Sequence, residues 1–131
     1  MIGLLIVAHG TLGESLVECA TYVLGSRPAK LLALDVRDCS NTDEILAVAK
    51  AQLAELDSGD GVLVMADIYG ATPCNMLCSL IQPGRVELVA GVNLPMLLKV
   101  LNYRHESLPA LVTRALKGGG EGIFHVTHCH A

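Results

Sequence analysis

Two apolar patterns alternate along the chain. Short runs dominated by Val, Ile, Leu and Ala cover residues 2–8 (IGLLIVA), 31–36 (LLALDV), 61–66 (GVLVMA) and 86–90 (VELVA). Runs of this length and make-up, bounded by turn residues, predict strands, and their near-continuous apolarity suits a parallel sheet covered on both faces. The stretches between them carry helical spacing. In the first, Leu12, Leu16, Ala20, Val23 and Leu24 fall on one face. Thr11 with Glu14 three residues on reads as a capping box, and Gly25 as the helix stop. A second helix is predicted over residues 41–56, with acidic residues in its first turn and Gly59 closing it. Thr72 followed by Pro73 marks the start of a third helix, because proline at the first helical position loses no hydrogen bond. Asn93 caps "LPMLLKVL", and a last helix runs over residues 108–117. "GGGEG" (118–122) reads as a flexible break, and "IFHV" (123–126) as a short edge strand.

Strand and helix alternate without a linker or repeat, so residues 1–131 form a single domain of the α/β class. Its length is enough to bury a core without disulfides or metal. Right-handed crossovers then imply a doubly wound open sheet of four parallel strands, and the order expected is 2-1-3-4. Helices cover both faces, and a C-terminal edge strand completes it.

Composition narrows the function. Hydrophobic residues make up 52% of the chain, with no Trp and one Phe, so the core is aliphatic. A net charge of −4, a pI near 5.6 and the lack of a basic stripe exclude a nucleic-acid binder. No apolar run approaches the roughly 20 residues of a membrane span. Nor does the start carry a basic region and cleavage site, so the expected location is cytoplasmic. Five cysteines in unpaired spacing are expected to be small buried hydrophobes; Cys74 and Cys78 lie one helical turn apart.

In a doubly wound sheet ligands bind beyond the carboxyl ends of the strands. His9, Asp67 and Asn93 all fall at such ends. With strands one and three adjacent, His9 and Asp67 face each other. A carboxylate there accepts the N–H of one imidazole nitrogen and leaves the other as nucleophile or ligand. Asp67 alone reads equally well as a turn cap. "DIYGATPCN" (67–75) adds an anion site, since a helix starting at Thr72 offers free N–H groups to a phosphate. Thr72 either caps that helix or bonds a phosphoryl oxygen, and Asn75 either joins it or lies on the surface. No GxxxxGK[ST] loop, GxGxxG turn or acidic cluster for magnesium is present, so no cofactor is expected and phosphate must arrive already activated.

Three motifs in order, "GLLIVAHG", "VLVMADIYGATPCN" and "VELVAGVNLPMLLK", resemble the enzyme IIA domains of the mannose class in the bacterial phosphoenolpyruvate-dependent sugar phosphotransferase system. The resemblance covers nearly the whole chain. It implies that His9 accepts phosphate on Nε2 from the histidine phosphocarrier protein and passes it to a IIB partner. Asp67 matches the orienting carboxylate and Thr72 the hydroxyl beside the phosphate. Gly70 and Ala71 stand where the family usually has two glycines, and Lys99 where it usually has an acidic residue. It further implies a homodimer, in some members with an exchanged C-terminal strand, for which residues 118–122 offer a hinge. No IIB domain follows, so that partner is expected to be a separate chain.

Two other readings use the same histidine. A phosphorylation-dependent regulator would dock on another protein instead of feeding a transporter. A small tetrapyrrole metal chelatase also opens with a strand ending in His-Gly, and the tail "HVTHCH" adds His125, His128, Cys129 and His130. No carboxylate accompanies that tail, and the middle motifs have no role in a chelatase, so no metal ligands are assigned.

Overall fold

A computed structural model describes residues 1–68 and 76–129. The strands are β1 (Gly3–Ala8), β2 (Leu31–Asp35), β3 (Val62–Ala66) and β4 (Val86–Ala90). The helices are α1 (Leu12–Leu24), α2 (Thr42–Leu56), α3 (Leu94–Tyr103) and α4 (Leu108–Glu121), with short 3₁₀ turns at Val36–Asp38 and Cys78–Leu80. All strand pairs are parallel and the order is β2-β1-β3-β4, as expected. The predicted helix start at Thr72 and Pro73 lies outside the described residues.

Every residue of β1 is buried because it occupies the middle of the sheet. Its side chains alternate between two cores. Leu4, Ile6 and Ala8 pack with Leu63 and Met65 beneath α1, α3 and α4, through Val17, Leu97 and Leu111. Leu5 and Val7 pack with Val62, Val64 and Ala66 beneath α2, through Ile45, Ala49 and Leu53. Three helices therefore cover one face, and α2 with the segment around Leu77 and Leu80 covers the other.

Several local expectations change on contact with tertiary structure. The buried stripe of α1 is Gly13, Val17 and Ala20, while Leu12, Val23 and Leu24 are exposed. Gly13 rotates the helix inward: a Cβ there would already touch Ala33 Cβ at 3.2 Å and Ile6 Cγ2 at 3.3 Å. Thr11 makes no side-chain cap, since its backbone (φ −84°, ψ 3°) is not extended as a capping residue requires. Glu14 pairs instead with Arg27 at 2.8 Å. Asn41 and Asn93 do cap, accepting from Glu44 N and Met96 N at 2.9 Å each. The Asn93 amide also donates to Gly119 O at 3.1 Å, so this strand-end residue ties α3 to α4. Of the described cysteines, Cys19, Cys78 and Cys129 are exposed and Cys39 is part-buried, against the expectation of buried apolar roles. Burial, with Glu44, Asp38 and Asp35 nearby, pushes the Cys39 thiol up and away from a reactive thiolate.

The glycine run is not a break. Residues 118–120 are helical, and α4 continues to Glu121. The reason is spacing: a Cβ at position 118 would stand 2.6 Å from Lys99 Cβ, and one at position 122 would collide with Pro95. Absent side chains let α4 close onto α3. Gly120, by contrast, faces open space. Gly120→Ala is therefore expected to stabilise the fold by about 0.5–1 kcal/mol, and Gly118→Ala to destabilise it by about 1–3 kcal/mol through overpacking; thermal unfolding of the two variants gives opposite shifts. Past Gly122, residues 123–129 form no strand, so the expected edge strand does not join the sheet of this single chain. Ile123, Phe124 and Val126 stand exposed there.

Candidate active site

β1 and β3 are hydrogen-bonded neighbours in register, Val7 opposite Ala66. The ladder runs one step further, Asp67 N donating to Val7 O at 3.2 Å. That step brings the next residues of the two strands, His9 and Asp67, together. Asp67 Oδ2 accepts from the His9 backbone N–H at 3.0 Å and lies 2.9 Å from His9 Nδ1. The imidazole is 47% exposed and the carboxylate 15%, so the base is held from behind while the ring faces outward.

Burial pushes the Asp67 carboxyl up. Hydrogen bonds from the His9 main chain and ring, the charge of the imidazole and the Ile68 N–H outweigh it, and the net shift is downward. The group is thus a carboxylate at neutral pH. A carboxyl more acidic in the fold than in the open chain stabilises the fold fully above the ordinary value near pH 4 and loses that contribution as pH falls through its folded value. The contact at Nδ1 leaves Nε2 for chemistry, the arrangement expected of an imidazole nucleophile.

On the other flank stand two residues that sequence reasoning missed. Asp35, the last residue of β2, lies opposite Ala8. Its Oδ1 accepts from Gly10 N at 2.9 Å and from Arg37 N at 2.9 Å. The Arg37 N–H is the largest influence lowering the Asp35 pKa, and it outweighs burial with help from the guanidinium and the Gly10 N–H. Applied to β2, the strand-end rule that picked His9 and Asp67 would have found Asp35. Gly10 turns with φ +66°, a conformation natural to glycine. A Cβ at that position would lie 3.0 Å from Arg37 Cζ, so the guanidinium rests on the main chain next to His9.

Gly70, Ala71, Thr72 and Asn75, expected to bind phosphate, lie outside the described residues, as does His130. His125, His128 and Cys129 are exposed. Among the described residues no three His, Cys, Asp or Glu side chains are grouped to hold a metal, and no helix is long and apolar enough to cross a membrane. A hollow of about 450 Å³ lies beside Val62 and Val86, at the opposite end of the sheet from His9.

The family model described as PTS system fructose IIA component (EIIA-man) matches residues 3–116. The mannose-specific EIIAB component of Escherichia coli K12 is 33% identical over 125 residues, 93% of this chain; the chain spans 38% of that protein's length. The fructose-specific EIIA component of Bacillus subtilis 168 is 31% identical over 132 residues, 99% of this chain and 89% of that one. The phosphotransferase system component EIIA from Streptococcus agalactiae shares the fold, with a TM-score of 0.84 at 22% identity, covering 95% of this chain and 97% of that chain. The sequence matches run through β1 and β3, the strands that carry His9 and Asp67, and the chain belongs to the EIIA-man family, the EIIA components of the sugar phosphotransferase system.

Proposed function

We propose that the protein is a phosphohistidine carrier: Nε2 of His9 accepts a phosphoryl group from the histidine phosphocarrier protein and passes it to a IIB component during sugar uptake. The observation that carries this reading is the 2.9 Å contact between His9 Nδ1 and Asp67 Oδ2. In the transfer, a bond forms between His9 Nε2 and phosphorus as the donor's N–P bond breaks, and the bonding pair leaves with the donor imidazole. Asp67 holds the Nδ1 proton and offsets the positive charge that grows on the ring. One N–P bond replaces another, so the step is close to reversible and catalysis reduces to alignment and charge. A ring 47% exposed suits a donor that is itself a protein. Thr72, Gly70, Ala71 and Asn75 complete the phosphate site in this reading, by their match to the family motif.

The test is direct. Incubation with labelled phosphoenolpyruvate, enzyme I and the phosphocarrier protein is expected to place one acid-labile, base-stable label on the peptide containing His9. A chain that takes no label, yet binds cobalt or nickel through His9, would falsify the relay and favour the chelatase chemistry.

A further inference from the structure

Phosphorylating His9 creates an electrostatic problem. The phosphoryl group carries about two negative charges at neutral pH, and Asp67 and Asp35 already flank the site as carboxylates. Something must supply positive charge. In the sequence, the stretches that follow the four strands, residues 9–11, 36–41, 67–75 and 91–93, contain a single Lys or Arg, and it is Arg37. Its guanidinium is already laid against Gly10, beside the histidine.

We propose that Arg37 is the phosphoryl-binding cation of this site, holding the phosphate oxygens on the β2 side of His9 opposite Asp67. The role rests on the phosphotransfer reading and deepens it. Three features equip the side chain. Gly10, with no Cβ and a positive φ, leaves the space in which the guanidinium lies. Asp35 anchors the turn through the Arg37 N–H at 2.9 Å but reaches Nη2 only at 3.4 Å, so the fork keeps donors for an anion. The side chain is 64% exposed, accessible to a group delivered by another protein. Guanidinium is the side-chain cation best shaped to bind phosphate through two parallel N–H bonds. The neighbouring carboxylates, Asp35 and Asp38, are not a substitute for that charge; they add to the repulsion it relieves.

A cation that binds the phosphoryl group stabilises phosphorylated His9 over free His9. The experiment therefore measures the equilibrium constant for phosphoryl exchange between the phosphocarrier protein and this chain, in wild type, Arg37→Gln and Arg37→Lys. Arg37→Gln is expected to shift the equilibrium about tenfold toward the donor, and Arg37→Lys to recover most of it by restoring the charge. An unmoved equilibrium with a raised KM for the phosphocarrier would make Arg37 a docking residue and overturn the assignment. A loss that Lys does not rescue, accompanied by a lowered melting temperature, would make it a brace for the Asp35 turn and overturn it equally. Wild type that takes no label at all overturns the relay itself, and this role with it; wild type that labels normally beside an indifferent Arg37→Gln overturns Arg37 alone.

Discussion

Replacing His9 with alanine is expected to abolish phosphoryl transfer, and Asp67→Asn to slow it by on the order of 10²-fold or more. The first follows from losing the only atom proposed to bond phosphorus. The second follows from what one oxygen does. Asp67 Oδ2 faces both the His9 main-chain N–H and the ring Nδ1. An amide oxygen in its place keeps the two hydrogen bonds at best, but carries no charge to balance the imidazole as its Nε2 attacks. With the amide rotated, the NH₂ group donates to Nδ1, the ring proton moves to Nε2, and the attacking lone pair disappears. A hundredfold loss corresponds to about 2.7 kcal/mol of transition-state stabilisation. Rapid-quench transfer from labelled phosphocarrier protein measures it, with circular dichroism to verify the fold. Asp67→Asn that transfers within threefold of wild type would remove the carboxylate from the mechanism.

The largest stability effect is expected far from that site, at Arg104. This residue ends α3 and is 5% exposed. Its guanidinium donates to Ile2 O from Nε at 3.0 Å and Nη2 at 2.8 Å, to Lys30 O at 2.8 Å, and to Ala29 O. Burial lowers its pKa to about 10, still high enough for it to stay charged at neutral pH. The three carbonyls lie where the chain enters β1 and β2, and the Arg104 carbonyl in turn accepts from Ile2 N at 3.0 Å. One side chain thus fastens two strand starts to a helix end. Arg104→Ala strips the buried Ile2 oxygen and the part-buried Ala29 and Lys30 oxygens of a charged donor, and is expected to cost on the order of 3–5 kcal/mol. Lysine cannot reproduce the fork, so Arg104→Lys is expected to restore only part of the loss. Arg27→Ala, which breaks an exposed pair with Glu14, serves as the contrast at under about 1 kcal/mol. Urea unfolding separates the three; a cost below about 1 kcal/mol for Arg104→Ala would show that the carbonyls find other partners.

How far the sequence reveals this molecule depends on the range of the interaction. The strands, and the placing of His9 and Asp67 at their ends, follow from local signals: unbroken apolar runs mark buried strands, and a polar residue at a run's end marks the crevice. That the two residues meet depends on strands one and three being neighbours, which no local signal sets. Arg104 carries no such signal, because a lone arginine after a helix looks like surface until the strand starts fold against it. Asp35 ends an apolar run and the same strand-end rule marks it, but its bond to Gly10 exists only once β2 lies beside β1. Glycines 118–120 were misleading in the opposite direction. Three glycines locally favour a flexible chain, and only the approach of Lys99 and Met96 shows why they are helical. Thr11 fails as a cap because its own backbone, just after the turn at Gly10, is not extended.

The single Asp67 oxygen shared between the His9 main chain and ring has a consequence for quality control. The carboxylate reaches the ring only while β1 lies in correct register on β3, with Asp67 N on Val7 O. Slippage or incomplete docking of the central strand removes both bonds together, and with them the tautomer on which the proposed chemistry depends. Competence to carry phosphate then reports native strand pairing. Copies still folding, or partly opened, would draw no phosphoryl groups from the donor pool, and a phosphorylated copy whose strands part would lose the setting that makes its phosphate transferable.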